Sequence, residues 1–127
     1  MASNQKRYFN LAGKRPGMPY SDAVMSGNRV YVAGRIGFKP GTREVPADPA
    51  EEARLMLDQV RSVLAEAAMD MNDLVYVQIF CSDVSLFDTF NGVYRQYFSA
   101  DLPARAFIGS GPLLFGARFE IIAIAEK

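Results

Sequence analysis

The segment that decides the fold is residues 74–81, Leu-Val-Tyr-Val-Gln-Ile-Phe-Cys, a nearly continuous apolar run. It is too short for a good isolated helix, and its β-branched and aromatic residues are typical of a central strand. A central strand needs neighbouring strands and cover on its faces. The segments before and after it are therefore interpreted as its partners.

The segment before this strand has the features of an amphipathic helix. Asp48-Pro49-Ala50-Glu51 combines a capping residue, a proline suited to the first helical position and an acid in the first turn. Apolar residues then recur at helical spacing, which predicts a helix over residues 49–69 with one buried face. The buried positions are Met56, Val60, Val63, Leu64 and Ala67, and the solvated ones are Glu51, Arg54, Asp58, Arg61 and Glu66.

A second helix is predicted after the strand. Phe87, Phe90, Val93, Tyr94 and Tyr97 repeat at helical spacing, which indicates a helix over about residues 86–98 that ends before Pro103. Two further strands follow, at residues 105–110 and 119–125, separated by a loop that contains glycine and proline.

Upstream, residues 23–33 form a predicted hairpin around Gly27-Asn28, followed by a surface loop over residues 34–48. The element order is then β-β-α-β-α-β-β in a single domain, residues 1–127. We expect an α+β fold in which one mixed sheet carries both helices on one face. Tyr31, Ile79 and Phe107 are assigned to the other face, which we expect to be covered by oligomerisation.

Composition excludes several classes of function. Lys plus Arg and Asp plus Glu are 14 each, and the basic residues are scattered, so a nucleic acid partner is not expected. There is no histidine and only one cysteine, Cys81, which argues against a zinc site, a histidine-dependent nucleophile and an intrachain disulfide. No membrane segment or leader is recognised, so a cytoplasmic location without a membrane partner is expected.

Two charged residues interrupt the apolar final strands. Arg105 and Glu120 both stand in apolar surroundings, where a charge requires a reason. From the residues alone, a structural ion pair and a functional role are equally good interpretations.

Five short blocks resemble, in order and approximate spacing, the signature segments of the RidA/YjgF family: residues 19–23, 32–36, 90–94, 102–106 and 119–125. Pro103-Ala104-Arg105 followed by a terminal Glu-Ile-x-Ala-Ile-Ala strand is fairly specific to it. The resemblance implies a chorismate-mutase-like subunit of YjgF type, a homotrimeric barrel and ligand clefts between subunits. It also implies hydrolysis of 2-aminoacrylate and related 2-imino acids to 2-oxo acids and ammonia, with no cofactor and no metal.

Roles for individual residues follow from the same resemblance. Arg105 is expected to bind the substrate carboxylate through a two-pronged hydrogen bond, and Glu120 to orient the attacking water and move its proton. Tyr20 is expected to line the cleft or fill an interface. Asn91 is expected to face the cleft or brace a loop, and the alternative is an ordinary hydrogen bond at the surface of the second helix. Gly34 is expected to allow either a close backbone approach to the ligand or a bulge.

The chain also departs from the family pattern. Ala33 and Arg35 replace a serine and a glutamine common in active members, and Phe107 replaces a smaller residue, although its backbone carbonyl remains able to contact water or the imine nitrogen. Residues 109–112 replace a segment that is commonly charged and branched. Arg35 is interpreted as an outward surface arginine or, alternatively, as a clamp for a second carboxylate.

Three functions therefore stay open. The first is an imine deaminase of broad or altered specificity. The second is a non-catalytic trimer that binds small carboxylates or regulates a partner protein. The third is a dedicated catabolic deaminase of an aminomuconate-like diacid. A ribonuclease is not favoured, because the chain has neither a basic track nor a histidine.

Overall fold

The computed structural model describes residues 5–127. It contains a six-stranded mixed sheet with two α-helices on one face. The strands are β1 (Lys6–Phe9), β2 (Ala23–Ser26), β3 (Arg29–Arg35), β4 (Leu74–Cys81), β5 (Ala104–Gly109) and β6 (Phe119–Glu126), and the helices are α1 (Pro49–Glu66) and α2 (Phe87–Tyr94). The strand order is β1-β2-β3-β6-β4-β5. This arrangement confirms the predicted α+β class.

The segment 74–81 forms an interior strand, as predicted. β4 pairs antiparallel with β6 on one side and parallel with β5 on the other. The parallel pair requires a crossover connection, and α2 lies in that connection. All other neighbouring strands in the sheet are antiparallel.

Both predicted helices are present, with shorter α-helical bounds. The Asp48 side chain accepts a hydrogen bond from the Ala50 backbone N–H at 3.2 Å, and Pro49 is the first helical residue, so the predicted start of α1 is confirmed. α1 ends at Glu66, before a positive φ of 57° at Ala68. α2 ends at Tyr94 and continues as a 3₁₀ turn over Arg95–Tyr97.

The predicted element order contains five strands and is wrong, because it lacks β1. β1 pairs antiparallel with β2, with Phe9 opposite Ala23 and Lys6 opposite Ser26. Its sequence, Lys-Arg-Tyr-Phe, has no alternation of apolar and polar residues. Its strand conformation therefore depends on pairing with the exposed edge of β2, which a local pattern does not reveal.

The prediction for the second sheet face was correct for one residue and wrong for two. Tyr31 lies on that face and is 43% exposed, whereas Ile79 is fully buried on the helix side. Phe107 packs beside Phe90, also on the helix side. The face without helices, called the open face below, carries half-buried or exposed apolar side chains of Val24, Tyr31, Tyr76, Phe80, Ile108, Ile122 and Ile124.

Within residues 5–127, neither helix is long and apolar enough to cross a membrane.

Candidate functional site

Glu120 lies on the open face of the sheet, in a cleft of about 670 Å³. Along β6 the buried residues alternate with half-buried ones, and Phe119 and Ile121 point toward the helices. Glu120 therefore points to the opposite side, where Tyr20, Gly34 and Arg35 also line the cleft. The structure brings four of the predicted site residues together in this space, which we call the Glu120 cleft.

The Glu120 carboxylate lies directly against the backbone of Gly34. A β-carbon added at Gly34 would overlap one carboxylate oxygen of Glu120. Gly34 also lies within the irregularity where the β3–β6 register shifts, between Val32 and Arg35. The bulge interpretation of Gly34 agrees with this irregularity, whereas its close approach to a ligand stays a prediction. In this chain the group that lies against its backbone is the Glu120 side chain.

The environment of Glu120 suits a proton-transfer group. Partial burial raises the pKa of its carboxyl above the ordinary glutamate value, and the nearby positive charge of Arg35 opposes that rise. A carboxylate with a raised pKa is a stronger base than a fully solvated one. This property agrees with the predicted role of Glu120 in moving the proton of an attacking water.

Arg35 is not an outward surface residue, and that part of the sequence interpretation is wrong. It is only 6% exposed, and its Nη2 atom forms an ion pair with Asp22 Oδ1 at 3.0 Å. Its Nε atom donates to the carbonyl oxygens of Ala33 and Gly34, at 3.2 and 3.0 Å. These contacts commit the guanidinium to holding the strand irregularity, which weakens its interpretation as a free carboxylate clamp.

Asp22 is a site residue that the sequence reasoning did not assign. It is 3% exposed, and its second oxygen accepts a hydrogen bond from the Leu11 backbone N–H at 2.7 Å. Asp22 thereby ties the segment before β2 to Arg35. Its place in the quoted block 19–23 was the only available signal, because nothing local identifies its partner 13 residues later.

Tyr20 stands at the exposed side of the Glu120 cleft, with 45% of its surface accessible. The Lys14 ammonium lies over its ring, 4.5 Å from the centroid, and also donates to the Tyr20 carbonyl oxygen. The contacts with Lys14 thus hold the ring at the exposed part of the cleft lining. It remains available to pack against a planar ligand.

Arg105 lies on the other side of the sheet. β5 pairs in register with β4, so Arg105 lies beside Val77, whose side chain is completely buried on the helix side. The Arg105 Nη1 atom donates to Asn91 Oδ1 at 2.8 Å. Its guanidinium carbon is 4.8 Å from the ring centroid of Tyr94, 5.5 Å from that of Phe107 and 5.8 Å from that of Phe87.

This group, Arg105 with Asn91, Phe87, Tyr94 and Phe107, is called the Arg105 cluster. No carboxylate in the described part of the chain forms an ion pair with Arg105. A half-buried guanidinium oriented by one amide, with aromatic rings around it, has several N–H donors left for an anion. Asn91 contacts Arg105, and is therefore placed to orient it.

Tyr94 has an unusual hydroxyl group. It is buried and has no hydrogen-bond partner among residues 5–127. Burial raises the pKa of Tyr94 to about 12, although the charge of Arg105 opposes the rise. The ring, and not the hydroxyl, supplies the contact with Arg105 that the structure shows.

Arg105 and Glu120 do not meet within one chain. The ion-pair interpretation is wrong, since Arg105 faces the helices and Glu120 faces the open side of the sheet. The cleft of one chain therefore contains Glu120 without Arg105, Asn91 or Phe107.

Glu52 positions the beginning of β6 and was not singled out from the sequence. Its fully buried carboxylate accepts hydrogen bonds from the backbone N–H groups of Arg118 and Phe119, at 2.7 and 3.3 Å, and pairs with the Arg118 guanidinium at 2.6 Å. These contacts anchor the strand one residue before Glu120. The sequence presented Glu52 only as a second acid in the first turn of a helix.

Cys81 is fully buried, and its thiol donates to the Asp83 carbonyl oxygen at 3.0 Å. Burial raises the pKa of this thiol, so Cys81 is a core residue of low reactivity. Among residues 5–127, no group of three or more Cys, Asp or Glu side chains is arranged to hold a metal ion.

The chain and its fold are similar to several known proteins. The chain is similar to the human 2-iminobutanoate/2-iminopropanoate deaminase, with 36% identity over 128 residues that cover 98% of this chain and 93% of the relative. The YjgF gene product of E. coli superposes with a TM-score of 0.82 and 33% identity, covering 94% of this chain and 93% of that one. E. coli TdcF with bound serine gives a TM-score of 0.82 and 32% identity over 95% and 94% of the two chains.

The class is therefore that of the YjgF-type α+β proteins. A family model described as Endoribonuclease L-PSP matches residues 13–127, and the chain belongs to that family, which confirms the resemblance drawn from its motifs.

Proposed function

We propose that this protein hydrolyses 2-imino acids and their enamine tautomers to 2-oxo acids and ammonia. The observation that carries the proposal is the state of Arg105, a half-buried guanidinium held by Asn91 and aromatic rings and left without a carboxylate. The human relative is named as a 2-iminobutanoate/2-iminopropanoate deaminase, and TdcF was solved with serine bound. Both names concern small molecules that carry a carboxylate.

The chemistry needs two groups on opposite sides of the substrate. Arg105 binds the carboxylate through a forked hydrogen bond, which fixes the orientation of the adjacent C=N bond. Glu120 accepts a proton from water as its oxygen adds to the imine carbon, and it passes that proton to the nitrogen. In the second step Glu120 moves the remaining hydroxyl proton of the tetrahedral adduct to the same nitrogen, the C–N bond breaks, and the 2-oxo acid and ammonia form.

The two groups come together only if a second chain contributes to the site. We propose a homotrimer in which the Glu120 cleft of one subunit is completed by the Arg105 cluster of a neighbour. The apolar open face supports this assembly, because Tyr31 and its neighbours on that face need cover. The proposed compartment is the cytoplasm, where a buried unpaired thiol such as Cys81 is usual.

The test is the rate of 2-oxo acid release from freshly generated 2-aminoacrylate and 2-iminobutanoate, measured against spontaneous hydrolysis. Wild type should accelerate release, whereas Arg105→Ala and Glu120→Ala should lose most of the acceleration. Arg61→Gln is the matched control, since Arg61 is an exposed arginine on α1 that is paired with Asp58. A folded trimer that binds 2-oxo acids but accelerates no imine would favour the non-catalytic carboxylate-binding protein.

A further inference from the structure

The Glu120 cleft contains more positive than negative groups. Four cations line it, Lys14, Arg15, Arg35 and Arg43, against the two carboxylates of Asp22 and Glu120. Arg35 is paired with Asp22, and the Lys14 ammonium lies 3.9 Å from the same carboxylate. Asp22 thus compensates the positive charges of Arg35 and Lys14. The other two cations, Arg15 and Arg43, lie on loops that line the cleft.

Of these two cations, Arg43 is better placed than Arg15 to contact a ligand in the cleft. It lies on the loop between β3 and α1 and is half-buried, whereas Arg15 is exposed. Its guanidinium carbon is 5.3 Å from the centroid of the Phe115 ring, and its Nη2 atom is 3.3 Å from Met18 Sδ. Met18 and Phe115 also line the cleft, so the guanidinium lies between two of its walls.

The hydrogen-bonding capacity of Arg43 is largely unused. A guanidinium has five N–H donors, and a thioether sulfur is a weak acceptor. Among residues 5–127, no carboxylate forms an ion pair with Arg43. A cation held in this way retains a free fork of donors for an anion that enters the cleft.

The Phe115 ring that contacts Arg43 lies on a turn with an uncommon backbone conformation. Phe115 has a positive φ of 61°, which is uncommon for a residue with a side chain and costs about 1 kcal/mol. Its ring packs edge-on against Phe38, with centroids 5.2 Å apart. The turn therefore keeps Phe115 beneath the guanidinium although the backbone there is strained.

We propose that Arg43 forms a second anion subsite in the Glu120 cleft, which selects imino acids that carry a second carboxylate. The inference rests on the proposed deaminase function and specifies its substrate class. Arg105 binds the carboxylate next to the imine carbon, and Arg43 binds the distal one. The sequence suggested this role for Arg35, but Arg35 is committed to Asp22, and Arg43 has the free donors.

The test compares kcat/KM for a diacid imine, 2-iminoglutarate, with that for 2-iminobutanoate. Arg43→Gln should lower the diacid-to-monoacid ratio about ten-fold or more, because a forked, charge-assisted contact is lost. Arg43→Lys keeps the charge without the fork and should give an intermediate ratio, which also covers the case in which the glutamine variant does not fold. Arg61→Gln, a charge removal outside the cleft, should leave the ratio unchanged.

A binding measurement separates this inference from the proposed function. Calorimetry with 2-oxoglutarate and 2-oxobutanoate should show tighter diacid binding by wild type and loss of that preference in Arg43→Gln. An unchanged ratio and unchanged diacid preference in Arg43→Gln would overturn the subsite, while acceleration of 2-iminobutanoate would still support the deaminase. Absence of all imine hydrolysis would overturn the deaminase, and the calorimetry would then decide the subsite alone.

Discussion

The carboxylate of Glu120 occupies the space that a β-carbon on Gly34 would fill. The two residues lie on the neighbouring strands β3 and β6, where the pairing register shifts. Gly34 does not have a positive φ, so its backbone conformation does not require glycine. The glycine is required by the position of the Glu120 side chain.

Gly34→Ala should therefore reduce activity more than stability. The new methyl group must displace the end of a flexible side chain, so we expect a stability loss of no more than about 1 kcal/mol. Displacement of the base should lower kcat at least about ten-fold. Imine hydrolysis and urea denaturation would measure the two effects.

Gly92→Ala is the matched control for this substitution. Gly92 lies in α2, and a β-carbon there meets open space. Alanine at this position should leave kcat unchanged and increase helix stability by about 0.5–1 kcal/mol. Equal activity losses in the two variants would contradict the role assigned to the Gly34–Glu120 contact.

Arg105→Lys tests whether the fork of the guanidinium matters as well as its charge. Lysine keeps the positive charge but does not reproduce a bidentate contact or stack equally on the rings of Tyr94 and Phe107. We expect kcat/KM to fall about 10–100-fold with a nearly unchanged Tm. Substantial unfolding of this variant would instead indicate that Arg105 serves mainly to hold the fold.

Glu120→Gln should remove the pH dependence that the Glu120 carboxyl gives to kcat/KM and to the free energy of unfolding. As the pH falls through the raised pKa of Glu120, the base becomes protonated, so wild-type kcat/KM should decline at a pH above the ordinary value of 4.5. The glutamine variant should retain little activity and lack that decline. A wild-type profile that is flat through this region would argue against Glu120 as the base.

The raised pKa of Glu120 also predicts the direction in which stability changes with pH. A carboxyl whose pKa is raised by folding binds its proton more tightly in the folded chain, so its stabilising contribution is present below the unfolded pKa. That contribution is lost as the pH rises through the folded pKa. The free energy of unfolding of wild type should therefore fall relative to that of Glu120→Gln over this range, as measured by urea denaturation.

Tyr94→Phe should not destabilise the protein. The Tyr94 hydroxyl is buried without a partner in the described part of the chain, so its removal should leave stability unchanged or increase it by up to about 1 kcal/mol. Tyr97→Phe is the contrasting variant, because the Tyr97 hydroxyl donates to Asp58 Oδ1 at 2.7 Å. We expect Tyr97→Phe to lose about 1 kcal/mol in the same thermal or urea measurement.

Local signals in the sequence were sufficient for several elements. The Asp48-Pro49 start of α1, the interior position of residues 74–81 and the turn at Gly27-Asn28 were all correctly predicted. Each depends on contacts between residues close in the chain or on the periodicity of one segment. The motif blocks also identified the family, because they preserve order and spacing along nearly the whole chain.

Only the tertiary structure decided which face of the sheet each side chain points to and which charged residues pair. The register of β4 and β5 turned Ile79, Phe107 and Arg105 toward the helices, since a shift of one residue moves a side chain to the other face. The pairing of Arg35 with Asp22 and the separation of Arg105 from Glu120 follow from strand pairing and loop position. The sequence alone determined which elements form and which family they build, because those signals are local or ordered along the chain. The arrangement of charges around the cleft depends on contacts between distant segments, and only the folded chain brings those together.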